Sequence, residues 1–188
     1  MRAALVTANR FVLAVLALFM LAAGAIADEA ADRAALDALF IELRGATDPA
    51  AASVIDQRIW QIWVSPSDEV LAQRMREVIA ARSFANVATD ITLCDRLIED
   101  YPTYAEGWNQ RATLRYLAHD FEGSLDDIDK VLEFEPRHFG ALSGRVLIYL
   151  AQGKRSEALR DMATALAIHP FLSERQLFPE LKEDMIRI

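Results

Sequence analysis

EGWNQRATLRYLAHDFEGSLDDIDKVLEFEP, residues 106–136, is followed almost at once by a second stretch of the same plan, GALSGRVLIYLAQGKRSEALRDMATALAIHP, residues 140–170. In both, apolar residues recur at the 3.6-residue period of an amphipathic helix, and no alternating β-branched run interrupts them. Pro102, Pro136 and Pro170 are equally spaced along the chain. Fixed self-similarity at such a period marks a stacked helical array, in which each unit buries its apolar face only against its neighbours. Ala112, Ala158 and Ala165 are small enough to let paired helices approach closely, while Ile128 and Met162 fill the holes this leaves.

On these residues the chain resembles the tetratricopeptide repeat family. Trp108, Ala112 and Tyr116 fall in the first helix of a unit and Asp120-Phe121 at its turn, with Ser124, Ile128, Val131 and Pro136 at the family's small, large, small and proline positions. The next unit sets Leu142, Val146, Tyr149, Gly153, Ala158, Met162, Ala165 and Pro170 at matching spacings. Gly153 and His119 occupy equivalent turns, where glycine tolerates positive φ and histidine does so less readily. A third unit ends at Pro102 with ATDITLCDRLIEDYP, residues 88–102, but Asp90 stands where a small residue is expected and Phe84-Ala85-Asn86 replaces the usual Gly-Asp turn.

The resemblance implies an all-α, right-handed superhelical solenoid of antiparallel helix pairs, with repeats at 67–102, 103–136 and 137–170. Outward from these, Leu36, Leu39, Phe40 and Leu43 define one amphipathic helix, and Ile55, Ile59, Ile62 and Trp63 a second after Asp48-Pro49. This pair, 28–66, reads as a degenerate repeat by analogy. Ser65 and Asp68 have capping-box spacing ahead of the next helix. Residues 171–188, with Leu172, Leu177, Phe178, Leu181 and Met185 apolar, are expected to form a terminal capping helix that Pro179 kinks or restarts.

The resemblance also implies a concave groove lined by the first helices of successive units, accepting an extended peptide or a partner's helix. At matching positions stand Asn109, Thr113, Tyr116 and Leu117, then Gly140, Ser143, Leu147 and Leu150. Groove positions of family members that clamp a terminal carboxylate carry several Lys and Arg, and these eight carry none. Apolar and hydroxyl-bearing side chains suit a hydrophobic segment of another protein better. Arg111 precedes Asp127 by the same interval as Arg145 precedes Asp161, so each repeat is expected to hold an ion pair between its two helices rather than an arginine reserved for a ligand.

The N-terminus is of another kind. Arg2 and Arg10 precede thirteen apolar residues, Phe11 to Ala23, and Ala25-Ile26-Ala27 fits signal peptidase, which predicts a signal peptide over 1–27, cleaved after Ala27. Phe11 to Ala27 is seventeen residues, short of the roughly 20 an uncleaved anchor requires. The expected location is therefore across the inner membrane, in the periplasm, without stable membrane insertion; the alternative is anchoring by the retained segment. The leader holds two of the 20 basic residues and none of the 28 acidic ones, so the remaining chain carries 18 against 28 and a formal charge of −10. That sign repels phosphate backbones and makes nucleic acid an unsuitable partner.

Cys94 is the single cysteine, so no intramolecular disulfide can form; its apolar surroundings read as a buried core residue, with a redox thiol as the alternative. His119, His138 and His169 fall at separate inter-helix junctions, too far apart in a solenoid to converge on a metal. No nucleophile motif or phosphate-binding loop occurs, so neither catalysis nor a cofactor is expected. Trp108 reads as a structural position, whereas Trp60 lies off the Ile55/Ile59/Ile62 stripe and reads either as buried or as an exposed anchor for a partner. The expected function is an envelope scaffold or adaptor binding a protein or peptide; the alternative is a structural subunit of an envelope complex.

Overall fold

A computed structural model describes residues 28–81 and 86–181; the leader, residues 1–27, lies outside them, as do Phe84 and Ala85 of the irregular turn. The described chain is all-helical: α1 (28–44), α2 (Pro49–Val64), α3 (Glu69–Ala81), α4 (Val87–Asp100), α5 (Ala105–Leu117), α6 (Phe121–Phe134), α7 (Phe139–Ala151) and α8 (Arg155–Ile168). The second helices α4, α6 and α8 begin at Val87, Phe121 and Arg155, the same interval that separates Pro102, Pro136 and Pro170, so the proline metre is also the structural period.

Within a repeat the two helices meet through the small positions. Ala112, Ala158 and Ala165 are buried, as are Ile128 and Met162 opposite them. Ser124 adds a polar tie, its hydroxyl donating to the carbonyl of Ala112 at 2.8 Å. Asp90 and Ala158 hold the equivalent places in the other repeats; Asp90 is buried, and its Oδ2 has no hydrogen-bond partner among the described residues. His119 and Gly153 both adopt positive φ, 61° and 71°, so the two turns share one geometry at the cost of forcing a histidine into a region glycine enters freely. Cys94 is fully buried in the cluster of Leu71, Met75, Val78, Leu97 and Leu114.

The arginine–aspartate spacing becomes a ladder. Arg111 Nε and Nη2 donate to both oxygens of Asp127, at 2.9 and 2.7 Å, and Arg145 contacts Asp161 likewise at 2.6 and 3.0 Å. Each arginine also reaches back one repeat, Arg111 to Asp95 at 2.6 Å and Arg145 to Asp129 at 2.8 Å. Asp95 and Asp129 recur at the proline interval too, so this second rung has its own signal in the sequence.

Helix ends follow local chemistry. Asp48 caps α2, accepting from the amides of Ala50 and Ala51, with Pro49 at the first helical position. At α3 the expected capping box is absent. Asp68 alone accepts from Val70 and Leu71, because the Ser65 amide is engaged in closing α2 onto Gln61. Beyond Pro170 the described chain forms a short 3-10 turn, Ser173–Leu177, where a capping α-helix was expected; Phe178 and Leu181 nevertheless bury themselves against Leu142, Val146 and Met162. Met185 and the rest of that expected helix lie outside the described residues.

The N-terminal pair departs most from the sequence reading. It is a helical pair, but it does not simply stack ahead of α3. Instead α2 runs back along the inter-repeat junctions. The Tyr104 hydroxyl donates to the Trp63 carbonyl, Trp63 stacks on His138 at 4.0 Å between ring centroids, and Asp56 stands 3.8 Å from His169. Tyr104, His138 and His169 follow the three repeat-ending prolines or lie beside them, so one helix touches all three junctions. The driving surface is aromatic: Phe40, Trp60 and Trp63 pack with Phe139 in one cluster, and Arg137 lies 4.3 Å over Phe40 while donating to Asp37.

Candidate concave site

The concave face is built from one side of α5 and one side of α7. Asn109, Thr113, Tyr116 and Leu117 recur at helical spacing on α5, and Gly140, Ser143, Gly144 and Leu147 on α7. These line a cavity of about 640 Å³. Leu150, the remaining expected groove residue, lies off it: about one turn beyond Leu147, it packs on the solenoid core with Met162 and Leu166. Leu117 and Leu147 stay partly exposed, at 43% and 36%.

Two walls come from distant segments. Pro49, Ser53, Asp56 and Trp60, one face of α2, close one side; His169, Phe171, Leu172, Ser173 and Glu174 close another. Trp60 is half-buried and faces inward: it packs edge-on to Trp63 and Phe139 and lies over Gly140, where a Cβ would come within 2.8 Å of its ring. It is a wall of the site rather than an outward anchor. Trp108 is partly buried beside Ala112 and Ile128, its indole N–H donating to the Pro102 carbonyl and its ring beneath Arg111. Of the remaining structural positions, Tyr149 packs on the α7–α8 core while Pro136 is exposed at its junction.

Beneath the junction lies a buried polar cluster that sequence periodicity did not reveal. His138 Nδ1 accepts from the amide of Ala141 at 3.1 Å, so its proton sits on Nε2, which donates to Glu106 at 2.9 Å. Glu106 also accepts from Asn109 and Gln110. Buried polar groups persist when paired in this way, and the network fixes α5, α7 and Asn109 in one register.

Electrostatically the cavity is acidic. No Lys or Arg lines it among the described residues, whereas Asp56 and Glu174 do. Burial pushes the Asp56 carboxyl up, with the neighbouring Trp60 indole acting the other way, and burial pushes His169 down, favouring its neutral form. His169 Nδ1 accepts from the amide of Phe171 at 3.2 Å. Ser143 is only 6% exposed, and its Oγ, itself buried, has no hydrogen-bond partner among the described residues. None of Asp56, His169 or Glu174 was legible as part of the site, because α2 and the 169–174 segment stand at opposite ends of the described chain.

Among the described residues no group of three potential ligands is placed to hold a metal ion, and no helix is long and apolar enough to cross a membrane. No family model matches the chain. A TPR repeat-containing protein of Rhizobium etli is 35% identical to it over 135 residues, which is 72% of this chain and 66% of that protein, just under two thirds of its length.

Proposed function

The chain belongs to the tetratricopeptide-repeat proteins, and from that premise we propose that it is a polypeptide-binding scaffold of the bacterial envelope whose concave cavity is the binding site. Helical repeats of this family form protein-interaction scaffolds. The observation that carries the proposal is the cavity itself. It lies where two repeats present their first helices, has apolar walls with scattered hydroxyl and amide groups, and keeps Leu117 and Leu147 partly exposed. Its size suits a short segment of a partner rather than a long helix laid through an open channel.

Export rests on the leader-like residues 1–27, with retention as an anchor the alternative; N-terminal sequencing of the protein recovered from a periplasmic fraction distinguishes the two. Co-purification with the intact protein and with a folded Tyr116→Asp/Leu147→Asp variant tests the site. A partner recovered by the first and lost by the second supports the groove. A partner retained by both refutes it and favours the second reading, a structural subunit docking through the N-terminal helices, where Ile41 and Val54 are 72% and 61% exposed.

A further inference from the structure

One buried carboxylate decides which way a cavity side chain faces. His138 caps α7: its Nδ1 accepts from the Ala141 amide at 3.1 Å, so its proton stands on Nε2 and is donated to Glu106 at 2.9 Å. The side chains of Glu106 and His138 are both fully buried, and Trp63 of α2 stacks on the imidazole. Gln110 donates to the other oxygen of Glu106. A carboxylate only accepts, so the Asn109 amide has one orientation open to it: Nδ2 turned to Glu106, at 3.1 Å, and Oδ1 turned away. Asn109 is more than nine-tenths buried and lines the cavity. Its Oδ1 accepts nothing among the described residues, yet it is not sealed in the interior as the unpaired Asp90 Oδ2 and Ser143 Oγ are, so it opens on the cavity. Thr113, one turn further along α5 and also a lining residue, donates its hydroxyl to the Asn109 carbonyl at 2.9 Å, which leaves its oxygen only lone pairs to offer.

Resting on the scaffold reading above, we propose that the buried Glu106–His138 pair is a positioning device. It fixes Asn109 so that α5 presents the cavity with two acceptors, Asn109 Oδ1 and Thr113 Oγ1, and so selects a segment that brings donors: successive N–H groups along one edge of an extended peptide. Side chains one turn apart on a helix stand about 5–6 Å apart. Alternate residues of an extended strand, whose N–H groups point to the same edge, are about 6.6 Å apart, so one strand edge can meet both acceptors. A helical segment has its N–H groups committed within itself and offers none along its flank. A free carboxylate would set oxygen against oxygen.

The test uses the 15N-labelled protein and a capped pentapeptide, acetyl-Ser-Leu-Ala-Leu-Ser-amide, with two copies in which ester oxygens replace the N–H groups of one edge, at residues 2 and 4, or of the other, at residues 3 and 5. In the free protein the Asn109 side-chain amide protons should exchange slowly, being held on Glu106. The copy lacking the donors that face α5 should bind about tenfold more weakly than the parent, and the other copy much as the parent does. Asn109→Ala should erase that difference. Glu106→Ala should erase it too, because it releases the Asn109 amide to turn, whereas Glu106→Gln, which keeps an oxygen for His138 and Asn109, should restore it. A merely structural role for the pair would lower stability in Glu106→Ala without making the two copies alike. Should Glu106→Ala fail to fold, Asn109→Ala and the exchange of the Asn109 amide decide. Rapid exchange of that amide, two copies that bind alike, or a difference that survives Asn109→Ala or Glu106→Ala overturns the proposal. Binding by none of the peptides also overturns it, and the scaffold reading then stands or falls on the Tyr116/Leu147 co-purification, which involves neither Glu106 nor Asn109.

Discussion

Gly140 and Gly144 lie about one turn apart on α7, both lining the cavity, yet replacing each by alanine should move stability in opposite directions. A Cβ at Gly144 would meet only the Cδ1 of Ile128, at 3.8 Å, an ordinary contact. Gly144→Ala should therefore gain the helix-interior advantage of alanine, about 0.5–1 kcal/mol. At Gly140 the same atom would come within 2.8 Å of both Cζ2 and Cη2 of Trp60. That ring has little room to yield, being edge-on to Trp63 at 5.1 Å, His138 at 5.6 Å and Phe139 at 5.9 Å. Overpacking of this kind costs about 1–3 kcal/mol, and alanine gains less in the first turn than in the interior. The two variants should thus differ by about 2–3 kcal/mol, or roughly 4–12 °C in Tm for a chain of this size. Thermal unfolding followed by circular dichroism gives the difference, and hydrogen exchange gives its location: α2 should lose protection in Gly140→Ala while α5 to α8 keep theirs. Equal shifts in the two variants, or unchanged α2 protection in Gly140→Ala, would refute the seating of Trp60 on α7.

Three further outcomes follow from single sites. His119→Gly should stabilise by about 0.5–1 kcal/mol, because φ of 61° strains histidine and not glycine; denaturant unfolding measures it, and a loss of stability would contradict the turn geometry. Arg111→Met should cost about 3 kcal/mol by leaving the buried Asp127 to Arg115 alone, whereas Asp95→Asn, at a carboxylate about half exposed, should cost under about 1 kcal/mol; comparable losses would mean that the ladder does not depend on burial. Burial pushes the Cys94 thiol from 9.0 up to about 12, so the folded protein should resist aromatic disulfide reagents at pH 8 and react on unfolding. Because the folded value is the higher one, the associated stability is fully present below pH 9 and is lost as pH rises toward 12.

The sequence by itself determined the repeats. Their regular spacing survives because each helix pair packs only on its neighbours, so Ala112, Ala158, Ile128 and Met162 report their own packing locally, and Arg111 and Arg145 report theirs by a constant offset to Asp127 and Asp161. The same logic located most of the concave floor, from Asn109 to Leu147. Leu150 escaped it because one helix, α7, serves both cavity and core, and a side chain a little further along crosses from the first to the second. What only tertiary structure decided is the path of α2. Period and amphipathicity say that Trp60 and Trp63 belong to a helix, but not which distant surface their rings meet. The aromatic contact with His138 and Phe139 selects the junction edge, carries Asp56 to within 3.8 Å of His169, and turns a groove into an acidic cavity. Contacts between segments so far apart along the chain leave no period in a sequence, because each is specified by shape and chemistry at both ends rather than by spacing along either one.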